Sequence, residues 1–297
     1  MNKIRVAATN VTPCFNKKKN LEKLLSMIEK AAQSQVQLIV FPEQVLQGYL
    51  PCLVGPLTSD TLRYQVEHAE CVPEGNSTQA VIEAAKRYHM YVAYGMTERS
   101  KTNYGVLYNT AVLVGPEGYI GSYRKVHQPV DEKHVYYPGD KFSVFDTPIG
   151  RIGLEICVDS AFPESARELA LQGAEIILML DAWEEFIGDR DFGELPCHFH
   201  DIFQVMRAME NQVFVISANQ VGQVEGQGKY CGRGNIIHPI GRILASTGSE
   251  GENLVYSDID VNQDIAEAKA VVLQEWHKER RPSVYRHLSS KLVDVQE

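Results

Sequence analysis

Three residues could do chemistry together, and each stands where an apolar run stops. Cys157 follows Ile152-Gly153-Leu154-Glu155-Ile156, and Val158-Asp159 and then Phe162-Pro163-Glu164 come after it, the last with proline where a helix would open. Glu43 follows Ile39-Val40-Phe41-Pro42, whose proline would stop a strand ladder. Lys125 ends the run Tyr119 to Arg124, with Glu132 in the segment beyond. An amide carbonyl is a poor electrophile. Its hydrolysis needs an activated nucleophile, stabilisation of the oxyanion and a proton for the leaving amine. A thiol is mostly protonated at neutral pH, and a nearby base or cation raises its thiolate fraction. Glu43 could take that proton, hand it to the leaving group and later activate water. Lys125 could face the oxyanion, with the backbone amide of Val158 as a second donor. Alone, each residue has a plainer reading: a small core cysteine, a capping glutamate, a solvated lysine.

These residues are far apart in the chain, so only a sheet can gather them. The pattern supplies one. Segments 3–9, 36–43, 90–99, 108–115 and 118–127 read as strands, with a turn at Pro116-Glu117-Gly118. Segment 141–159 reads as a hairpin turning at Pro148-Ile149-Gly150, and 174–180, 213–221 and 253–260 as further strands. A second hairpin turns at Pro239-Ile240-Gly241. Helices are predicted over 18–34, over 77–88 with Ser77 as N-cap, from Pro163 through Ala170, over 199–210 and over 261–278. The alternation argues for an α/β fold with mixed sheets covered by helices, and residues 1–279 read as one domain with a polar tail at 280–297. Strand ends, where loops leave a rigid scaffold, are where such a fold places function.

Composition narrows the partners. The chain has 297 residues, 44% hydrophobic and 23% charged, with 29 basic against 38 acidic side chains and a formal net charge of −9. No basic block points to nucleic acid or an anionic membrane. The apolar runs are too short to span a bilayer, and the N-terminus lacks the apolar core of a signal peptide. Six scattered cysteines without a Cys-x-x-Cys pair read as reduced thiols in a cytoplasmic protein. Cys197-His198-Phe199-His200 is too compressed for a usual zinc site, so neither metal nor cofactor is expected.

Phe41-Pro42-Glu43, Tyr123-Arg124-Lys125-Val126-His127 and Cys157-Val158-Asp159 with Phe162-Pro163-Glu164, in that order, resemble the three signature regions of the carbon-nitrogen hydrolase (nitrilase/amidase) superfamily. The resemblance runs from the first strand to Glu279-Arg280-Arg281-Pro282-Ser283-Val284-Tyr285. It implies a four-layer αββα sandwich with the site at its strand ends. It also implies Glu43, Lys125 and Cys157 as the catalytic set, with Glu132 orienting substrate and holding the lysine. A homodimer is implied as well, its C-terminal segments crossing the partner so that Val284, Tyr285 and Leu288 are covered.

Other roles stay open at this point. His127 could pair with Cys157, Asp159 could cap the following helix, and His198 and His200 could be plain surface or core histidines. Tyr49, in the Glu43 segment, and Trp183, just past the run ending at Leu180, are candidates to line the pocket with Val158. Nitrile-cleaving members of the superfamily carry Trp-Glu after the cysteine. Val158-Asp159 instead resembles the amidase and carbamoylase branches. Ser160-Ala161 replaces the arginine that clamps a substrate carboxylate, and acids crowd residues 181–194. The expected substrate is thus a small neutral or cationic linear amide, with an N-carbamoyl amine or amino acid as the same-site alternative. A silent binding protein on the same fold is the alternative of a different class.

Overall fold

The computed structural model describes residues 3–50, 57–185, 198–224, 228–285 and 287–288. Thirteen strands are joined in one hydrogen-bonded network among these residues. One half comprises β1 (Lys3–Val11), β2 (Leu38–Val40), β3 (Tyr91–Arg99), β4 (Leu107–Gly115), β5 (Gly118–Arg124) and β13 (Asn253–Asp260). The other comprises β6 (Val144–Thr147), β7 (Gly150–Ile156), β8 (Ile176–Asp181), β9 (Phe214–Gln223), β10 (Lys229–Cys231), β11 (Asn235–Ile237) and β12 (Ile243–Ser246). The path β5-β4-β3-β2-β1-β9-β8-β7-β6 crosses between the halves where the end of β1 pairs in parallel with β9, Asn10 opposite Asn219 and Val11 opposite Gln220.

Period-two alternation divides the core. Val6 and Ala8 of β1, Leu38 and Val40 of β2, and Ala111 and Leu113 of β4 share one cluster with Leu154 and Ile156 of β7, Leu178 of β8 and Ile216 of β9. Those residues are the filling between two stacked sheets. The intervening residues face the other way. Ala7, Ile39, Val92 and Val112 pack on Leu24 and Ile28 of α1 (Lys17–Gln33) and on Val81 and Ala85 of α3 (Asn76–Tyr88). On the opposite outer face Ile177, Met179 and Val215 pack on Ala166 and Leu169 of α4 (Pro163–Leu171) and on Ala208 of α5 (Phe199–Asn211). The order is helix, sheet, sheet, helix, the four-layer sandwich expected. Strands covered on both faces have to be apolar on both, as the near-continuous runs in the sequence are.

Several boundaries differ from the sequence reading. The helix α2 (Ser59–His68) and the short β10 have no clear signal and were not expected. Ser77 is not the N-cap of α3. Gly75 holds that position, and the Glu70 carboxylate does the capping, accepting from the Ser77 amide at 2.9 Å and its hydroxyl at 2.8 Å. The helix foreseen over 261–278 is two pieces, α6 (Val261–Val271) and α7 (Trp276–Glu279). Leu273 takes a left-handed φ of 52° between them. Gln212, at the end of α5, then draws the chain back by donating to the Gln274 carbonyl (3.2 Å) and accepting from the Trp276 amide (3.4 Å). Of α6 only Val261 and Ala268 are buried, so nothing supports a longer helix. Cys14, Cys71, Cys157 and Cys231 are free thiols, while Cys52 and Cys197 lie outside the described residues.

The same Glu70 carboxylate pairs with Lys17 of α1 at 2.6 Å, tying two helices of the outer layer. Replacing Glu70 with alanine is expected to cost about 1–2 kcal/mol, the scale of a lost helix cap. A denaturant midpoint unchanged from wild type would show that water caps α3 equally well.

Candidate active site

The end of β2 turns outward through Phe41-Pro42-Glu43. The turn is pressed against β3, where the Gly95 amide donates to the Pro42 carbonyl at 3.1 Å. A Cβ on Gly95 would lie 2.3 Å from the Gln44 nitrogen and 2.7 Å from Glu43 Cα, so only glycine allows this approach. Gln220 of β9 holds the other side, its amide donating to the Glu43 carbonyl at 3.0 Å. Lys125 directly follows β5, with its own amide bonded to the Asn109 carbonyl of β4 at 2.8 Å. Glu132 comes from the short 3-10 segment Val130–His134.

These side chains converge. Lys125 Nζ donates to Glu43 Oε1 at 2.6 Å and to Glu132 Oε1 at 2.7 Å, and all three residues are fully buried. Asn109 donates to both carboxylates, at 2.6 Å to Glu43 Oε1 and 3.3 Å to Glu132 Oε2. Tyr49 donates its hydroxyl to Glu132 Oε1 at 2.5 Å, so this candidate pocket residue is engaged in holding Glu132. Two negative charges and one positive charge out of water leave an imbalance. Burial pushes Glu43 up to about 7, with Lys125 opposing and the like charge of Glu132 adding to the rise. Burial by itself would discharge Lys125, but Glu132 and Glu43 outweigh it and hold the ammonium well above its ordinary range. Glu43 Oε2 is buried and takes no hydrogen bond.

Cys157 opens a 3-10 turn, Cys157–Ala161, at the end of β7 with a φ of +51°, a region costly for a residue with a Cβ. Asp159 holds the turn in place. Its carboxylate accepts from the Ile156 amide (3.1 Å), the Tyr123 hydroxyl (2.6 Å) and the His127 amide (3.0 Å), and lies 2.8 Å from His127 Nδ1. The Ser160 hydroxyl adds a bond to the Cys157 carbonyl at 2.7 Å. Asp159 therefore joins the cysteine turn to the segment carrying Lys125, and it caps that turn, not α4. His127 is committed to Asp159 and stacks on Phe162 at 3.9 Å between ring centroids, so the pairing with Cys157 is not formed. Burial pushes the Cys157 thiol well up, reinforced by Glu43 and opposed by Lys125 and a hydrogen bond from the Ala182 amide. Glu43, Lys125 and Cys157 are thus close enough to set one another's charge.

Of the remaining candidates, Val158 is half-buried in the cysteine turn, and Trp183 packs beside Phe199, His200 and Phe203. His200 is a buried core histidine, its Nε2 3.1 Å from Asp181 Oδ2. Among the described residues no group of side chains is arranged to hold a metal ion, and Cys197 lies outside them. Asn109, Gly95 and the Ala182 amide were not foreseen. Asn109 was detectable only as a polar residue in a mostly apolar strand and Gly95 only as a glycine within one, while the Ala182 amide acts through backbone, which leaves no mark in the sequence.

Residues 5–269 match the carbon-nitrogen hydrolase family. The chain is 32% identical over 284 residues to a Pyrococcus abyssi nitrilase, covering 95% of this chain and 99% of that one. It is 32% identical over 273 residues to a Homo sapiens omega-amidase, covering 89% and 91% of the two chains. A crystal structure of a Saccharomyces cerevisiae member of the nitrilase superfamily superposes with a TM-score of 0.80 at 25% identity over 93% of this chain and 97% of that one. With the sandwich and the Glu43, Lys125 and Cys157 cluster at its strand ends, these matches place the chain in the carbon-nitrogen hydrolase family.

Proposed function

We propose that the protein hydrolyses a small linear amide, releasing ammonia through a thioester on Cys157. The observation that carries this reading is the geometry of Glu43. One oxygen is held by Lys125 and Asn109, the other is buried and unbonded, and the carboxylate as a whole is near enough to push the thiol up. A carboxyl near 7 is matched to moving protons at neutral pH. In the resting state the cysteine is a thiol and Glu43 a carboxylate. As the substrate carbonyl arrives, Glu43 takes the thiol proton and the sulfur bonds to carbon. Lys125 has spent two of its three N–H groups on carboxylates, so the third can face the oxyanion. The C–N bond breaks as Glu43 returns the proton to nitrogen, and ammonia leaves. Water enters, gives a proton to Glu43 and attacks the thioester. The acid departs, and the proton goes back to sulfur.

Relatives named as omega-amidase and nitrilase both cleave carbon-nitrogen bonds by name, and Val158-Asp159 after the cysteine favours the amide. Glu132, Asn109 and Tyr49 serve as positioning residues for Lys125 and Glu43. We further propose that the protein pairs through its C-terminal segment, since Val284 and Leu288 are 64% and 62% exposed in the single chain. Light scattering is expected to show a dimer at micromolar concentration that weakens on truncation after Glu279. A full-length monomer would overturn it.

The catalytic set is tested by substitution. Cys157→Ala is expected to abolish ammonia release without unfolding, and Glu43→Gln to reduce kcat by about a thousandfold or more. Lys125→Ala should lose oxyanion stabilisation on the order of 3 kcal/mol. Wild-type kcat in Lys125→Ala would remove that residue from the mechanism.

Acidity provides a separate test. The raised Glu43 binds its proton up to about 7, so the base is present above that pH and lost below it. The kcat/KM profile is expected to fall on the acid side with a midpoint near 7. A midpoint at the ordinary glutamate value would exclude Glu43 as the base.

A further inference from the structure

Glu184 is a buried acid that the mechanism above does not use. It is 3% exposed, and among the described residues neither carboxylate oxygen has a hydrogen-bond partner. It lies three residues past the end of β8, beyond Ala182, whose amide reaches the Cys157 sulfur. Extended residues alternate in facing. Trp183 turns toward Phe199, His200 and Phe203 on α5, so Ala182 and Glu184 face the opposite side. Ala182 there shares a cluster with Tyr49 and Tyr230, and Glu184 bridges antiparallel to Tyr230. The Tyr49 and Tyr230 rings meet edge to face at 6.4 Å, and Tyr49 is the residue bonded to Glu132. Glu184 therefore stands on the same wall as the Lys125 cluster. From Ala182 it is one two-residue step, about 7 Å, the reach of a short alkyl chain.

We propose that Glu184 is a substrate-binding residue that recognises a primary ammonium at the far end of the linear amide. This rests on the amidase reading above and names the substrate class for it. A buried carboxylate without a partner is costly, and desolvation alone pushes Glu184 up to about 7. The neighbouring acid, Glu185, already has its cation in Lys229 at 2.6 Å. Among the described residues Glu184 has none, and an arriving ammonium would supply both the charge and the N–H donors. A substrate carboxylate would meet repulsion instead. Lys125 is bound by two carboxylates, and Ser160-Ala161 offers no cation to hold an anionic end.

The test compares valeramide, its ω-amino derivative and glutaramate on the wild type and on Glu184→Gln. The wild type is expected to favour the ω-amino amide in kcat/KM by on the order of a hundredfold over valeramide, with the gain in KM. Glu184→Gln should erase that preference while keeping valeramide turnover within about threefold, and Glu184→Asp should keep part of it. Calorimetry of Cys157→Ala with the ω-amino amide measures binding without chemistry. Turnover of valeramide with no ammonium preference would overturn the role of Glu184 and leave the amidase reading intact. Ammonium-dependent binding without turnover of any amide would do the reverse. Equal losses on all three substrates in both Glu184 variants would show that Glu184 only supports the fold.

Discussion

A single lysine ammonium, out of contact with water and shared by two carboxylates, is the interaction on which the arrangement of this site depends. Taking an ammonium out of water costs several kcal/mol, and one carboxylate would suffice to balance its charge. Here Glu43 and Glu132 both bind Lys125, and Asn109 donates to both. Burial, with the like charge of Glu132 adding to it, raises Glu43 to about 7. An arrangement of this kind is poor evidence for stability, since an apolar cluster of similar volume would serve as well. What it supplies is a carboxyl that exchanges protons near neutrality beside a cation that cannot lose its own.

That cluster can exist only because of where the two sheets meet. β1 passes from one sheet to the other at Asn10 and Val11, and the ends of β2, β5, β7 and β8 come together near that crossing. Each delivers one part: Glu43, Lys125, Cys157 and the Ala182 amide. The packed layers on either side make these positions stiff, because interiors of this density allow little movement of a backbone. Gly95 presses the Glu43 turn inward, and Asp159 fastens the cysteine turn to the segment of Lys125. Burial of the thiol by the same layers pushes it well up, with Glu43 adding to the rise and Lys125 opposing it.

The chain beyond β8 follows different physics. Lys125 binds both Glu43 and Glu132, whereas among the described residues Glu184 is buried without a cation. The contrast divides the site into a closed electrostatic set for the reaction and an open acid that a ligand would complete. The departure at Ser160-Ala161 points the same way, because Ser160 is occupied in bracing the cysteine turn and offers no charge.

Much of this protein was legible in its sequence, for reasons of periodicity and order. Strands covered on both faces leave apolar runs, and helices with one buried stripe leave a longer period, so most elements followed from pattern, while the four-layer order came from the resemblance to the family. Glu43, Lys125 and Cys157 stood out because each ends such a run, and Glu132 because its motif followed. Local pattern failed where tertiary contacts decide. Ser77 reads as a cap, but the Glu70 carboxylate reaches the amide first. The helix after β13 stops at Val271, because Gln212 draws the following chain toward α5. His127 sits on Asp159, Tyr49 on Glu132, and Asn109 between two acids, each through a partner distant in sequence. Residue type and spacing therefore determined which groups could react. Distances, burial and shared protons among them came only from folding, since charge and pKa depend on neighbours in space.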